Sequence, residues 1–409
     1  MKFCRNISIS KRAIFTALKL IFKNQIVEGE NVQKFETEFS KYIGRKYGIA
    51  TSSARFGLYL LFKSLDINKG KDEIILPAFM PWIVAKVALM CGLKPVFVDA
   101  DVKTRNIDPQ QIENKITKNT RIVLIVHLYG LPCNMGQILK ITKKHQLLLI
   151  ENCAQAMGAK YHGRPVGSFG DVSIFSFGKL KTCTTYGGGM ILTDNKELHD
   201  RLRRELISVP PPPKFELVRR SIIIPLVWII KTSFCISFFV HPLYSLIRFF
   251  KRDFISGQHF VGSESRICSY DETRLLQEHN MQYSHLQATL GLMQLKTLDS
   301  RIKSRQRNAA ILNALLPNPP YIPNDVYSSY FFYCIETDHK ERLLDALFDA
   351  GILAQAGNFP VVPDLRAFQD FKCDCPNARA LSTKLVFVPI QSDLQEKDMM
   401  KIVNVFKNL

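Results

Sequence analysis

Residues 167–190 read GSFGDVSIFSFGKLKTCTTYGGGM, and their reading decides the fold. Val172–Phe175 is a short apolar run of strand character, and Ser176, Phe177 and Gly178 close it. A polar loop then offers Lys179 and Lys181, and three glycines lead into a second run, GMILT at 189–193. Apolar runs of about four to eight residues bounded by turn signals mark buried strands. A lysine amine held at the mouth of a sheet, beside a hydroxyl and a flexible backbone, is what an imine-forming cofactor requires. A Gly-Gly-Gly run standing alone is only a tight turn, so the loop has to be judged with its surroundings.

Upstream the same rhythm repeats in YGIAT (47–51), DEIILPA (72–78), KPVFVDA (94–100), RIVLIVHLYG (121–130) and HQLLLIEN (145–152). Helix-length segments separate these runs. The pattern predicts an α/β fold, with βαβ units flanking a mostly parallel sheet in a large domain. In such sheets ligands sit beyond the carboxyl ends of the strands, which makes the polar residues closing each run the site candidates. Downstream, YSSYFFYCIE (327–336), KLVFVPI (384–390) and a closing helical pattern suit a smaller C-terminal α/β domain. The expected division is residues 1–200, a proline-rich and apolar insertion at 201–265, and interface helices with the small domain at 266–409.

The chain has 409 residues, 46% of them hydrophobic, enough to bury two cores. Its formal charge of +19 suits phosphorylated substrates, an anionic membrane surface or nucleic acid. No reader motif accompanies the charge, so no nucleic-acid partner is expected. Ten cysteines lie without CxxC spacing, which predicts free thiols in a reducing compartment and no metal site. The N-terminus lacks the apolar run and cleavage site of a secretory signal, placing the expected activity in the cytoplasm.

Pro210–Pro213 ends the alternation. Ser221–Phe250 is strongly apolar but carries Lys231, His241 and two prolines, with Arg219 and Arg220 before it and Lys251 and Arg252 after it. Spanning a membrane takes about 20 apolar residues, and one crossing would separate residues that the resemblance below assigns to a single site. The expectation is a peripheral anchor over 219–252 resting on anionic lipid, with burial between subunits as the alternative.

Several stretches in order, EGENVQKFETEFSKYIG (28–44), GLKPVFVDADVKTRNID (92–108), VHLYGLPCNM (126–135), ENCAQAMGAKYHGRPVGSFGDVSIFSFGKLK (151–181), GGGMILT (187–193) and HNMQYSHLQATLGLMQLKTLD (279–299), carry a resemblance. The chain resembles the sugar aminotransferases of the DegT/DnrJ/EryC1/StrS family, fold-type I enzymes that use pyridoxal 5'-phosphate. The resemblance implies that Lys181 carries the cofactor as an imine, Lys179 being the competing lysine. It implies that Ser176 binds the cofactor phosphate and that Gln155 contacts the ring hydroxyl. Asn280 would reach the phosphate held in a partner subunit, which implies a homodimer with shared sites.

The turn before a helix at Ser52–Arg55 would cradle the phosphate with backbone N–H groups. There Ala54 and Arg55 replace the family's Gly-Thr, and Arg55 is either a charge-assisted phosphate contact or a surface arginine. Tyr186 and Gly187 stand where the family has glycine and glutamate. Trp82 is either the aromatic stacked on the ring or a core residue, and His127 reads as a satisfied core histidine.

Asn152 is the sharpest departure. The family has aspartate there, keeping the ring nitrogen protonated so that the ring can draw electrons from the carbon losing its proton. An amide donates a hydrogen bond but carries no charge, so several kcal/mol of electrostatic stabilisation are at stake. Two functions follow. One is an aminotransferase moving an amino group, expected from glutamate, to a nucleotide-linked keto-sugar for cell-envelope glycan or amino-sugar synthesis. The other is a catalytically impaired, cofactor-binding, membrane-associated interaction protein.

Overall fold

The computed structural model describes residues 2–3, 10–230, 264–357 and 359–409. Helix α1, Lys11–Phe22, is capped by Ser10, whose hydroxyl accepts the Ala13 N–H. Helix α2, Asn31–Ile43, stops at Gly44, where a φ of 86° closes the helix at no steric cost. The large sheet then forms from β1 (Tyr47–Thr51), β2 (Glu73–Pro77), β3 (Lys94–Val98), β4 (Thr120–Val126), β5 (Leu148–Asn152), β6 (Val172–Ser176) and β7 (Gly189–Thr193). Helices α3 (Ala54–Ser64), α4 (Trp82–Met90), α5 (Met135–Lys144) and α6 (Lys196–Ile207) connect and flank the strands. Ser53, Asn134 and Asn195 cap α3, α5 and α6 through their side-chain oxygens.

The strand order is β3-β2-β4-β5-β6-β7-β1, parallel except that β7 runs against both of its neighbours. Cores on both faces keep the strands almost wholly buried, which is why they read as continuous apolar runs rather than alternating ones. The register pairs Gly189 with both Ser176 and Thr51. The start of the antiparallel strand therefore lies at the carboxyl ends of β6 and β1, and the residues closing β1, β5 and β6 share one edge with the glycine run.

One acid is buried inside this sheet. Glu151 on β5 accepts N–H bonds from Gly167, Phe169 and Gly170, each at 2.7 Å, and lies 3.1 Å from His127 Nε2. The Cys133 N–H donates to His127 Nδ1, so the ring carries its proton on Nε2 and gives it to the carboxylate. Burial alone would raise the Glu151 pKa, but the bonds from His127 and the Gly170 and Gly167 amides outweigh it and hold the carboxyl below its usual range. His127 is thus the core histidine expected. Neighbours on a strand face opposite sides, so pinning Glu151 on one face fixes Asn152 on the other.

Helix α7, Lys214–Ile230, follows the prolines and packs through Leu217 against Ala13 and Ala17 of α1. No described helix is long and apolar enough to cross a membrane. The anchor expected over 219–252 falls outside the described residues beyond Ile230.

Helix α8, Glu272–His279, leads to α9, His285–Leu295, which opens with a reciprocal capping box between Ser284 and Gln287. Gly291 of α9 lies so close to the Phe35 ring of α2 that a Cβ would come within 2.6 Å of it, tying these helices to the large domain. Helix α10, Leu298–Leu315, continues to the small domain. That domain holds an antiparallel sheet in the order β8 (Tyr333–Glu336), β10 (Leu385–Val388), β9 (Gln355–Ala356). Leu312, Leu347, Val386, Met399 and Ile402 form its core, each worth about 1.5–3 kcal/mol of burial. The architecture is the expected α/β large domain with a smaller C-terminal α/β domain. The eight described cysteines are unbridged.

Candidate active site

A cavity of about 1100 Å³ opens at the carboxyl edge of the large sheet. Its wall includes Ala54 and Arg55 at the start of α3, Asn152 and Gln155 after β5, and Ser176 and Lys181 after β6. Six of the seven residues that the resemblance assigns to the cofactor therefore meet in one place. Asn280, the seventh, follows the last residue of α8, with its N–H donating to the Leu276 carbonyl at 2.9 Å. It is exposed and stands between His279 and Met281, which do line the cavity.

Each element holds its residue for a local reason. Gly189 brings β7 against the start of α3, where a Cβ would lie 2.5 Å from the Ala54 nitrogen. Only glycine allows that approach. Ser53 spends its side chain on the Phe56 N–H, and the backbone N–H groups of Ala54 and Arg55 donate to nothing among the described residues. The positive end of an 11-residue helix thus faces the cavity with two donors. Arg55 is half-buried, with Nη1 3.3 Å from the Tyr270 hydroxyl and 3.7 Å from a Glu278 oxygen. Its guanidinium is shared with α8 while it still lines the cavity.

The two amides of the IENCAQA stretch are oriented by the backbone. Gln155 Oε1 accepts the Tyr129 N–H at 3.1 Å, which leaves Nε2 as the donor. Asn152 Oδ1 accepts the Ala154 N–H at 3.1 Å, which leaves Nδ2 as the donor. Reversing either amide would set N–H against N–H. Asn152 is only 7% exposed.

Lys181 is half-buried, its N–H donating to the Gly178 carbonyl at 3.0 Å and its Nζ lying 5.0 Å from the centre of the Phe331 ring. Lys179 is exposed at the rim. Trp82 turns edge-on to Tyr270, with ring centres 5.7 Å apart, and the wall beside it is made by Pro81, Ile83 and Val84.

Other wall residues were not assigned to the site by the sequence. His279 is largely buried; burial, reinforced by the positive charge of Arg55, lowers its pKa to about 4, so it stays neutral. Arg219 and Arg220 reach the cavity from α7. Tyr186, at a φ of 68°, has a buried hydroxyl with no partner among the described residues, and burial pushes the phenol up to about 12.

The donor set fits pyridoxal phosphate. Two backbone N–H groups and the Ser176 hydroxyl suit a phosphate, the Gln155 amide suits a ring oxygen, the Asn152 amide suits a ring nitrogen, and Lys181 suits the aldehyde carbon.

The sequence profile of the DegT/DnrJ/EryC1/StrS aminotransferase family matches residues 8–208 and 260–407. The chain belongs to that family. Its members are pyridoxal-phosphate enzymes. The spore coat polysaccharide biosynthesis protein SpsC of Bacillus subtilis is 26% identical over 416 residues, covering 98% of this chain and 95% of SpsC. The GDP-perosamine synthase of Escherichia coli O157:H7 is 41% identical over 174 residues, which is 42% of this chain and about half (48%) of that enzyme. The aminotransferase from Psychrobacter cryohalolentis has the same fold, with a TM-score of 0.77 at 23% identity over 98% of this chain and 97% of that one. The family match leaves residues 209–259 uncovered, inside the insertion expected at 201–265.

Proposed function

We propose that this chain transfers an amino group, taken from glutamate, to a keto-sugar carried on a nucleotide diphosphate, in the synthesis of amino sugars for a polysaccharide or envelope glycan. The observation that carries the reading is the meeting of Lys181, Ser176, Gln155, Asn152 and the α3 N-terminus around one cavity. Relatives named for GDP-perosamine and for spore coat polysaccharide support the sugar and its destination.

Pyridoxal phosphate, when bound, supplies an electrophilic carbon and an electron-withdrawing ring. The protein's residues supply the rest. The Ala54 and Arg55 amides and the Ser176 hydroxyl hold the phosphate. Gln155 Nε2 donates to the ring oxygen, and Asn152 Nδ2 donates to the ring nitrogen. Lys181 Nζ would hold the cofactor and, once released, would serve within each half-reaction first as the general base that takes a proton from carbon and then as the general acid that delivers it. Tyr186 and the Pro81–Val84 segment close the wall against water. Asn280, exposed at the end of α8, reaches the phosphate held in a partner subunit of a homodimer. The apolar stretch within 219–252, with Lys251 and Arg252 behind it, brings the enzyme to an anionic membrane face, while Arg219 and Arg220 turn to the cavity.

One observation favours the second reading, a cofactor-binding protein with impaired turnover. The donor at Asn152 opposes protonation of the ring nitrogen that it faces. Single-turnover kinetics with glutamate and a panel of nucleotide-linked keto-sugars separate the two. Amino transfer to any of the sugars supports the enzyme, and cofactor binding with no transfer to any of them supports the impaired protein.

A further inference from the structure

Helix α7 lies in the stretch that the family profile leaves uncovered, yet Phe215, Glu216, Arg219 and Arg220 on it line the active-site cavity. The insertion is therefore part of the site wall.

The contact with Gly187 shows what it adds. Gly187 has a φ of 139°, and a Cβ built on it would lie 2.8 Å from Arg220 Nη1. The guanidinium fills the space that a side chain at 187 would need. Arg220 Nη1 also lies 3.5 Å from the Tyr186 carbonyl, and Nε donates to Glu216 Oε1 at 2.7 Å. At the position where the resemblance places a glutamate, this chain has no side chain and brings in a cation from the inserted helix. The local charge changes by two units. Arg219 bonds the same Glu216, at 2.8 and 2.9 Å, so one carboxylate is shared by two guanidiniums and the trio keeps a net positive charge. Around the described wall, Arg55, Lys179, Lys181, Arg219 and Arg220 face only Glu216 and Glu278.

We propose that Arg220, assisted by Arg219, forms an oxyanion-binding subsite on the inserted helix that holds a charged group of a substrate during amino transfer. A planar guanidinium takes a phosphate or carboxylate through paired N–H bonds. Two substrates of the proposed reaction carry such a group: the sugar through its diphosphate, and the amino donor through its carboxylates. The subsite deepens the aminotransferase reading and rests on it.

The test measures binding of inorganic pyrophosphate and of glutarate, an unreactive dicarboxylate, to cofactor-loaded wild-type protein and to the R220Q and E216Q variants, by calorimetry. The visible band of the bound cofactor and the melting temperature are recorded alongside. The expected result is that R220Q weakens one of the two probes about tenfold or more, with the cofactor band and melting temperature unchanged. E216Q, which removes the competing carboxylate, should tighten the same probe. Loss of pyrophosphate assigns the subsite to the sugar, and loss of glutarate assigns it to the amino donor. Neither probe binding the wild type, or both binding R220Q as tightly as the wild type, overturns the subsite. A missing cofactor band would instead defeat the aminotransferase reading, and binding of the two probes would still decide the subsite.

Discussion

Replacing Asn152 by aspartate should speed proton removal from the amino donor. Asn152 is 7% exposed and its Oδ1 accepts the Ala154 N–H at 3.1 Å, which leaves Nδ2 as the group directed to the cavity. The group that Asn152 would offer a ring nitrogen is an N–H donor, and a donor is matched by an unprotonated nitrogen. An aspartate in the same position keeps the Ala154 bond with one oxygen and offers the other as a charged acceptor, which favours a protonated ring. Placing a charge-stabilising group where charge develops in a buried site is worth about 2.7–4 kcal/mol, or about a hundred- to a thousandfold in rate. The assay is stopped-flow single turnover with glutamate on both proteins, paired with the nitrogen-15 chemical shift of labelled pyridoxal phosphate bound to each. The ring should be unprotonated in the wild type and protonated in N152D, and N152D should show the faster rate. A protonated ring in the wild type, or equal rates in the two proteins, would refute that role of Asn152.

Ser176→Ala should weaken cofactor binding about tenfold or more, since a hydrogen bond to a charged phosphate is lost, and equilibrium dialysis checks it. His279 has its pKa lowered from 6.5 to about 4 by burial and by Arg55, so below pH 6.5 the unfolded chain takes up a proton that the native one refuses. Stability should therefore fall as pH drops from 6.5 to 4, by on the order of 3 kcal/mol. Urea unfolding across that range should show a shallower fall for His279→Gln than for the wild type. Glu151→Gln should destabilise by about 3–5 kcal/mol, because an amide nitrogen would face the Phe169 and Gly170 donors or leave them unpaired; thermal unfolding measures it.

Much of the candidate site was legible because the residues that meet in the cavity are local to the strands. Asn152, Gln155, Ser176 and Lys181 each lie within a few residues of a strand end, and the strands announce themselves as apolar runs because both sheet faces are buried. What escaped depends on contacts between distant segments. Arg220 meets Gly187 only because α7 folds back over the glycine run, and Phe331 meets Lys181 only through the approach of the small domain. His279 had a motif position but no visible role, since its neutrality comes from burial and from Arg55, far away in the chain. The sequence leaves Trp82 between ring stacking and core packing because PAFMPWIV aligns ambiguously. The structure gives the wall to Ile83 and turns Trp82 to Tyr270.

The proposed reaction stands on Lys181 carrying pyridoxal phosphate in a site able to take an amino group. Its most direct test is the visible spectrum of purified protein with added cofactor, before and after glutamate, beside Lys181→Ala. If Lys181 holds the cofactor, a band that depends on it should form and should fade on adding glutamate, slowly in the wild type and faster in N152D. An equal band in Lys181→Ala, or no band in the wild type, would contradict it.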